Sequence, residues 1–316
     1  MPSFVELEAR LRLPVVAAPL FLVSGPELVT AACRSGILGT FPALNARTDE
    51  ELDAWLATIG RELAGVPEAA PFGVNLVVHR GNRRLERDLE RVVHHRVPVV
   101  ITSLGAVPDL VGEIHRYGGL VFHDVATPRH VEKAAEAGVD AVILVCGGAG
   151  GHAGTLNPFA FLAEARRRFP GPLILAGALA TGRDVLAARA AGAALAYMGT
   201  RFIATREARA PEAYKRMLVT ASATDIVYTD RISGIPGSFL RQSLERAGLD
   251  PDRLHERPRG DIAAELARGE IRAWRDVWSA GQGVAAIADV PAVAELVARL
   301  EREYHAARRD LCGGEG

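Results

Sequence analysis

The sequence predicts an α/β protein, a closed (β/α)8 barrel with a mainly helical insertion near its C-terminus. Three observations predict it. Eight short β-rich runs recur between residue 13 and about residue 200, at Pro14–Ala18, Ile37–Thr40, Phe72–Val77, Pro98–Ser103, Leu120–His123, Ala141–Val145, Leu173–Ala176 and Leu195–Met198. Amphipathic segments separate them, among them Glu50–Leu63, Leu85–His94, Pro108–Tyr117, Pro128–Ala137, Phe159–Phe169 and Arg183–Ala191. Several crossovers end in glycine junctions, at Arg34–Gly36, Tyr117–Gly119, Ala137–Gly138 and Ala191–Gly192, where a left-handed residue can stop a helix.

Each element follows from its residues. A strand followed by a helix and another strand implies parallel pairing with right-handed crossovers. Parallel strands build either a closed barrel or an open doubly wound sheet, and the count of eight favours closure. No GxGxxG follows the first strand, so a dinucleotide-binding start is unsupported. Thr181 is placed to cap the helix after the seventh strand. After residue 200 the alternation stops. Arg206–Val219 reads as a helix, Thr220–Gly237 as mixed and Ser238–Gly248 as a helix. Asp250–Arg259 is a polar loop, Asp261–Gly269 and Ile271–Trp278 read as short helices, and Val290–Arg308 is an amphipathic helix. The expected layout is therefore one barrel, residues 1–200 and 286–310, with residues 201–285 inserted between the eighth strand and the last helix.

Composition narrows the function classes. The chain has 316 residues, 49% hydrophobic and 24% charged, with 37 basic against 38 acidic residues and a net charge of −1. That excludes a disordered or collagen-like chain and argues against a general nucleic-acid binder. Lys133 and Lys215 are the only lysines. Cys33, Cys146 and Cys312 are too few and too scattered for a disulfide framework or a zinc site, which suggests a reducing cytoplasm. The N-terminus lacks the layout of a signal peptide, and no apolar run approaches the ~20 residues of a membrane span. Homo-oligomerisation is left open.

Barrel active sites lie at the C-terminal ends of the strands. That rule selects Ala18 to Phe21, Asn75, Thr102-Ser103, His123-Asp124, Cys146 with the loop behind it, Gly177 to Leu179, and Gly199-Thr200. Gly147–Gly154 is the most informative segment, with five glycines and His152 among eight residues. A surface loop is the plainer reading, but the segment directly follows a buried-looking strand. Glycines there let backbone N–H groups approach a ligand, and a histidine among them can exchange protons near neutral pH. Glycines ending strands seven and eight fit the phosphate site that barrels often build there. His79 and His123 stand at the same rim, His123 as either a packing residue or a ligand contact. His94 and His95 fit a polar surface role, and His115, His130, His255 and His305 carry no supporting context. No HExxH, His/Cys cluster or GxSxG elbow is present, and Cys146 has no evident partner.

With these motifs in place, the chain resembles the nitronate monooxygenases, formerly 2-nitropropane dioxygenases, from about Pro14 to Leu300. The resemblance is carried by Ala149-Gly150-Gly151-His152-Ala153-Gly154, Ala176-Gly177-Ala178-Leu179-Ala180-Thr181-Gly182, Met198-Gly199-Thr200-Arg201-Phe202 and Gly281-Gln282-Gly283. It implies a TIM-type barrel with FMN at the strand ends and with the insertion, residues 201–285, as a substrate-covering subdomain. By position, Ala18, Pro19 and Leu20 would back the flavin ring, Asn75 would contact it, and Gly150 and Gly151 would lie beside it. Gly177, Gly199 and Thr200 would hold the phosphate end, Ala178 would also contact the cofactor, and His152 would be the catalytic group facing the substrate. The chain departs from the usual pattern at Leu20-Phe21, at Ala178-Leu179 and at Asp124, which stands where some relatives carry a basic residue. The implied reaction is oxidation of a nitronate or nitroalkane by O2 to a carbonyl compound and nitrite. The alternatives are an FMN-dependent NAD(P)H oxidoreductase, acting on enoyl-ACP or quinones, and a flavin-binding protein without turnover.

Overall fold

The computed structural model describes residues 3–261 and 274–313. Eight parallel strands close on themselves: β1 (Val15–Ala17), β2 (Leu38–Pro42), β3 (Phe72–Val77), β4 (Val99–Ser103), β5 (Leu120–Val125), β6 (Ala141–Val145), β8 (Leu173–Ala176) and β9 (Leu195–Met198). Pairing of β9 with β1, through Tyr197 opposite Val16, completes the barrel. Helices α2 (Pro26–Arg34), α3 (Asp49–Ala64), α4 (Leu85–His94), α5 (Pro108–Arg116), α6 (Pro128–Glu136), α7 (Pro158–Arg166) and α8 (Gly182–Ala190) cross between successive strands.

The helices start where the sequence supplies start signals. Pro26, Pro108, Pro128 and Pro158 occupy first-turn positions, where the missing N–H removes nothing. Thr48, Thr127, Asn157 and Thr181 accept hydrogen bonds from first-turn amides, and Thr181 completes a capping box with Asp184. Gly36, Gly118, Gly138 and Gly192, one in each expected junction, have positive φ at the crossover ends.

Side chains alternate across each strand. Val16, Leu38, Val99, Ile101, Leu120, Phe122, Ile143, Ile174 and Leu195 fill the barrel. Their neighbours Val74, Val100, Val121, Val142 and Leu175 pack outward against the helices. A short helix, α1 (Phe4–Ala9), seals the bottom, where Phe4, Leu7 and Leu11 join the inner cluster and the Phe4 ring lies 5.7 Å from Phe122.

Beyond β9 the elements differ from the sequence reading. After the single turn α9 (Thr200–Ile203), helix α10 (Glu212–Thr220) starts only past Pro211, because a residue before proline disfavours helical ψ. Ser238–Gly248 is not one helix: strand β11 (Gly237–Leu240) precedes α11 (Arg241–Arg246). β11 pairs antiparallel with β10 (Ile226–Thr229) and with β7 (Gly151–His152), a two-residue strand inside the glycine-rich loop. Of the short helices expected at Asp261–Gly269 and Ile271–Trp278, residues 262–273 lie outside the described part, and residues 274–277 form a turn and bend. The last helix, α12 (Val293–Cys312), returns along α8. Gly182 permits that contact: a Cβ there would sit 2.0 Å from the Leu300 carbonyl oxygen. No helix among the described residues is long and apolar enough to cross a membrane.

Candidate functional site

A cavity of about 860 Å³ opens at the C-terminal ends of the barrel strands. Its wall includes the residues that the family resemblance assigns to cofactor and catalysis: Ala18, Pro19, Leu20, Asn75, Gly150, Gly151, His152, Gly177, Ala178, Gly199 and Thr200. The lining is mostly apolar, and the volume is that of a site for a sizeable small molecule.

The glycine-rich loop is held by close backbone contacts. Gln282 N–H donates to the Gly148 carbonyl at 2.8 Å, and Gly281 N–H donates to the Thr200 hydroxyl oxygen at 2.9 Å. A Cβ on Gly150 would meet the Gly281 nitrogen at 2.8 Å, so this crossing needs glycine on both sides. Ser279 Oγ accepts from Gly151 N–H at 2.6 Å and donates to the Ser238 carbonyl at 2.5 Å. The Tyr214 hydroxyl in turn donates to the Ser279 carbonyl. The segment around Gly281-Gln282-Gly283 thus stitches the β6 loop to the corner after β9. Arg201 anchors that corner from behind, buried and paired with Asp289, which also binds Arg299 of α12.

His152 sits on β7, fixed by pairing with Gly237. Its ring meets the Trp274 ring edge-on, centroids 4.7 Å apart, and Nε2 lies 3.5 Å from Ser233 Oγ. Burial lowers its pKa to about 4, so at neutral pH it is an uncharged imidazole able to accept a proton. His123 is lowered to about 4 for the same reason, and its Nδ1 lies 2.8 Å from Thr102 Oγ1. It hydrogen-bonds across strands and also borders the cavity.

A polar row crosses the top of the barrel. Asn75 Nδ2 donates to Ser103 Oγ at 2.7 Å, and Ser103 Oγ donates to Asp124 Oδ2 at 2.5 Å. Asp124 Oδ1 is buried with no hydrogen-bond partner among the described residues. Burial raises this carboxyl to about 6, against the lowering effect of the Ser103 bond. Burial and the nearby Asp124 push the Tyr197 phenol well above its ordinary value.

Several lining residues had no role in the sequence reading. Ser103 was visible only as a strand end, because its pairing with Asp124 depends on register between β4 and β5. His130 and Lys133 reach the cavity mouth from α6, where one helical turn separates them; that spacing was the available signal. Tyr197, Tyr214, Tyr228 and Trp274 also border the cavity. His79 does not: it lies in the turn after β3, and its Nδ1 accepts from Gly81 N–H at 3.0 Å. Asp53, His94 and His95 gather on the outside of α3 and α4, where His95 Nε2 and Asp53 Oδ1 are 2.8 Å apart. Cys146 is buried, donates to the Leu144 carbonyl and is raised to about 12, an unreactive thiol.

The family model described as nitronate monooxygenase matches residues 81–303. The chain is 31% identical over 265 residues to an octahydroindene-carboxyl-CoA dehydrogenase of Mycobacterium tuberculosis, covering 82% of this chain and 70% of that one. It is 28% identical to a nitronate monooxygenase of Paraburkholderia phytofirmans, over 92% of each chain. Among solved structures, the nitroalkane oxidase of Streptomyces ansochromogenes superposes with a TM-score of 0.81 at 26% identity, covering 96% of this chain and 99% of that one. The barrel, its strand-end cavity and these likenesses define a flavin-dependent oxidoreductase. Within that class, the chain belongs to the nitronate monooxygenase family.

Proposed function

We propose that the chain binds FMN and oxidises nitroalkanes, as neutral compounds or as nitronates, with O2 to a carbonyl compound and nitrite. The observation that carries this reading is His152, an uncharged imidazole held on the cavity wall by β7 within the glycine-rich loop.

The residues present fit a flavin. Ala18, Pro19 and Leu20 offer an apolar face for a ring, and Asn75 offers a polar group at its edge. Gly177 and Gly199 expose backbone at neighbouring strand ends, suited to a phosphate. Thr200 accepts from Gly281, which leaves its O–H as a donor for the phosphate. Ala178 N–H already donates to the Gly148 carbonyl at 3.2 Å, so Ala178 contributes wall contact rather than that N–H. FMN, when bound, supplies the redox chemistry, accepting electrons from the substrate and passing them to O2.

The chain's own task is positioning and proton transfer. His152 takes the α-proton of a nitroalkane, and the C–H electron pair stays on carbon, delocalised into the nitro group. Residues 201–285 are proposed to cover the substrate: Tyr228, Ile235, Pro236 and Ser279 border the cavity on that side. His152→Asn is expected to lower turnover of neutral nitroalkanes by about 10²–10⁴-fold, with a smaller effect on pre-formed nitronate. Because the His152 pKa is lowered to about 4, wild-type turnover should show no loss from His152 protonation between pH 9 and 6. Full turnover by His152→Asn over that range would remove the general-base role.

A second reading is favoured by the similarity to a carboxyl-CoA dehydrogenase: a nicotinamide-linked oxidoreductase acting on thioesters. Rapid anaerobic bleaching of the flavin by NADH or NADPH, and not by nitroalkane, would select it.

A further inference from the structure

Outside the barrel, α3 and α4 lie side by side and meet along a charged seam. Asp49 of α3 pairs with Arg87 of α4 at 3.5 Å, and one turn further on Asp53 faces Arg91 and His95. Here the seam departs from an ordinary ion-pair ladder, because three metal-ligating side chains converge. His95 Nε2 lies 2.8 Å from Asp53 Oδ1. His94 adds a second imidazole, its centroid 5.1 Å from that of His95 and its plane at 89° to it. One ligand atom from each of Asp53, His94 and His95 lies within 4.8 Å of the other two. Asp53 and His95 are half-buried, and His94 is exposed. No local motif marks this cluster in the sequence, since Asp53 comes from a different helix.

We propose that Asp53, His94 and His95 bind a divalent transition-metal ion of the zinc class, which clamps α3 to α4. The donor set selects that class. Two imidazoles and one carboxylate suit Zn2+ and its neighbours, whereas Mg2+ and Ca2+ take oxygen ligands. Ligand atoms ~2.1 Å from a tetrahedral ion stand about 3.4 Å apart. Asp53 and His95 are already closer than that, and a small rotation of the exposed His94 ring supplies the third position. The fourth is left to water. His94 ends α4 and His95 caps it, so the negative end of the helix dipole favours a cation there. The opposing charge is Arg91, whose Nη1 lies 3.9 Å from Asp53 Oδ1 on a side chain 43% exposed, so its charge is largely solvated. The plainer alternative is a His95–Asp53 hydrogen bond with His94 as a bystander, and it predicts no role for His94. None of the three residues borders the cavity, so the proposal stands or falls apart from the nitroalkane reading.

The test is calorimetric titration of the FMN-loaded protein with Zn2+ and, separately, with Mg2+ in a non-coordinating buffer near neutral pH. Every sample carries Cys312→Ser, because the exposed Cys312 thiol would compete for zinc. Zn2+ should bind in the micromolar range and Mg2+ should not. His94→Ala, at an exposed position that folding does not depend on, should weaken Zn2+ binding at least about tenfold, since even the loss of an outer-shell partner costs that much at a metal site. Asp53→Asn should do the same. His255→Ala, which removes an exposed histidine beside a single carboxylate elsewhere, should leave binding unchanged. Zn2+ should also raise the urea midpoint of the parent protein and not that of His94→Ala, as a clamp between two helices requires. Zn2+ binding no tighter than Mg2+ binding, affinity unchanged in His94→Ala or Asp53→Asn, affinity lost in His255→Ala, or an equal rise in urea midpoint with and without His94 would overturn the proposal.

Discussion

At the scale of single residues, the site depends on which polar groups are uncharged. His152 and His123 are lowered by burial, and Asp124 is raised by it, so one physical cause moves bases and acid in opposite directions. Asp124 then makes stability depend on pH. Its folded pKa, about 6, lies above the unfolded value of about 3.9, so its contribution is fully present below pH ~4 and lost as pH rises through 6. The stability advantage of Asp124→Asn over wild type, measured without added flavin by urea denaturation, should therefore grow between pH 4 and pH 7.5. The increase should be on the order of 2 kcal/mol. An advantage that does not change with pH would contradict the burial argument. His152 and the glycines beside it were legible in the sequence because glycine clusters at strand ends have few other uses. The Asn75–Ser103–Asp124 row was not, because it joins three strands through a register that no local pattern encodes.

At the scale of elements, the eight barrel strands were legible because each is a short apolar run bounded by turn residues, and burial on both faces selects such runs. β7 was not, because a two-residue Gly-His strand has no periodicity, and β10 and β11 lie in a stretch whose small residues suit several conformations. The N-terminal helix illustrates a signal present but easily passed over. Phe4, Leu7 and Leu11 recur at helical spacing, and the structure uses them to close the barrel floor. Leu7→Ala, at a site 4% exposed, is expected to cost about 2–4 kcal/mol of unfolding free energy. Val5→Ala, at a site 73% exposed, should change it by less than about 0.5 kcal/mol. Equal effects of the two in urea denaturation would mean that α1 does not act as a plug.

At the scale of the whole molecule, barrel closure brings strand ends far apart in sequence around one cavity, and the segment from Trp274 to Gly283 links the loop after β6 to the corner after β9. The proposed cover, residues 201–285, is tied into this arrangement because β11 pairs with β7, placing His152 at the junction. Family membership gives the chain its chemistry class, and the substrate is what the cavity decides. The most direct measurement is anaerobic mixing of the FMN-loaded protein with a nitroalkane and its nitronate, and separately with NADH and NADPH, followed by flavin absorbance. The account predicts fast bleaching by the nitro compound, slow or absent bleaching by the reduced nicotinamides, and release of nitrite on admitting O2. Fast bleaching by NADH or NADPH alone would contradict it.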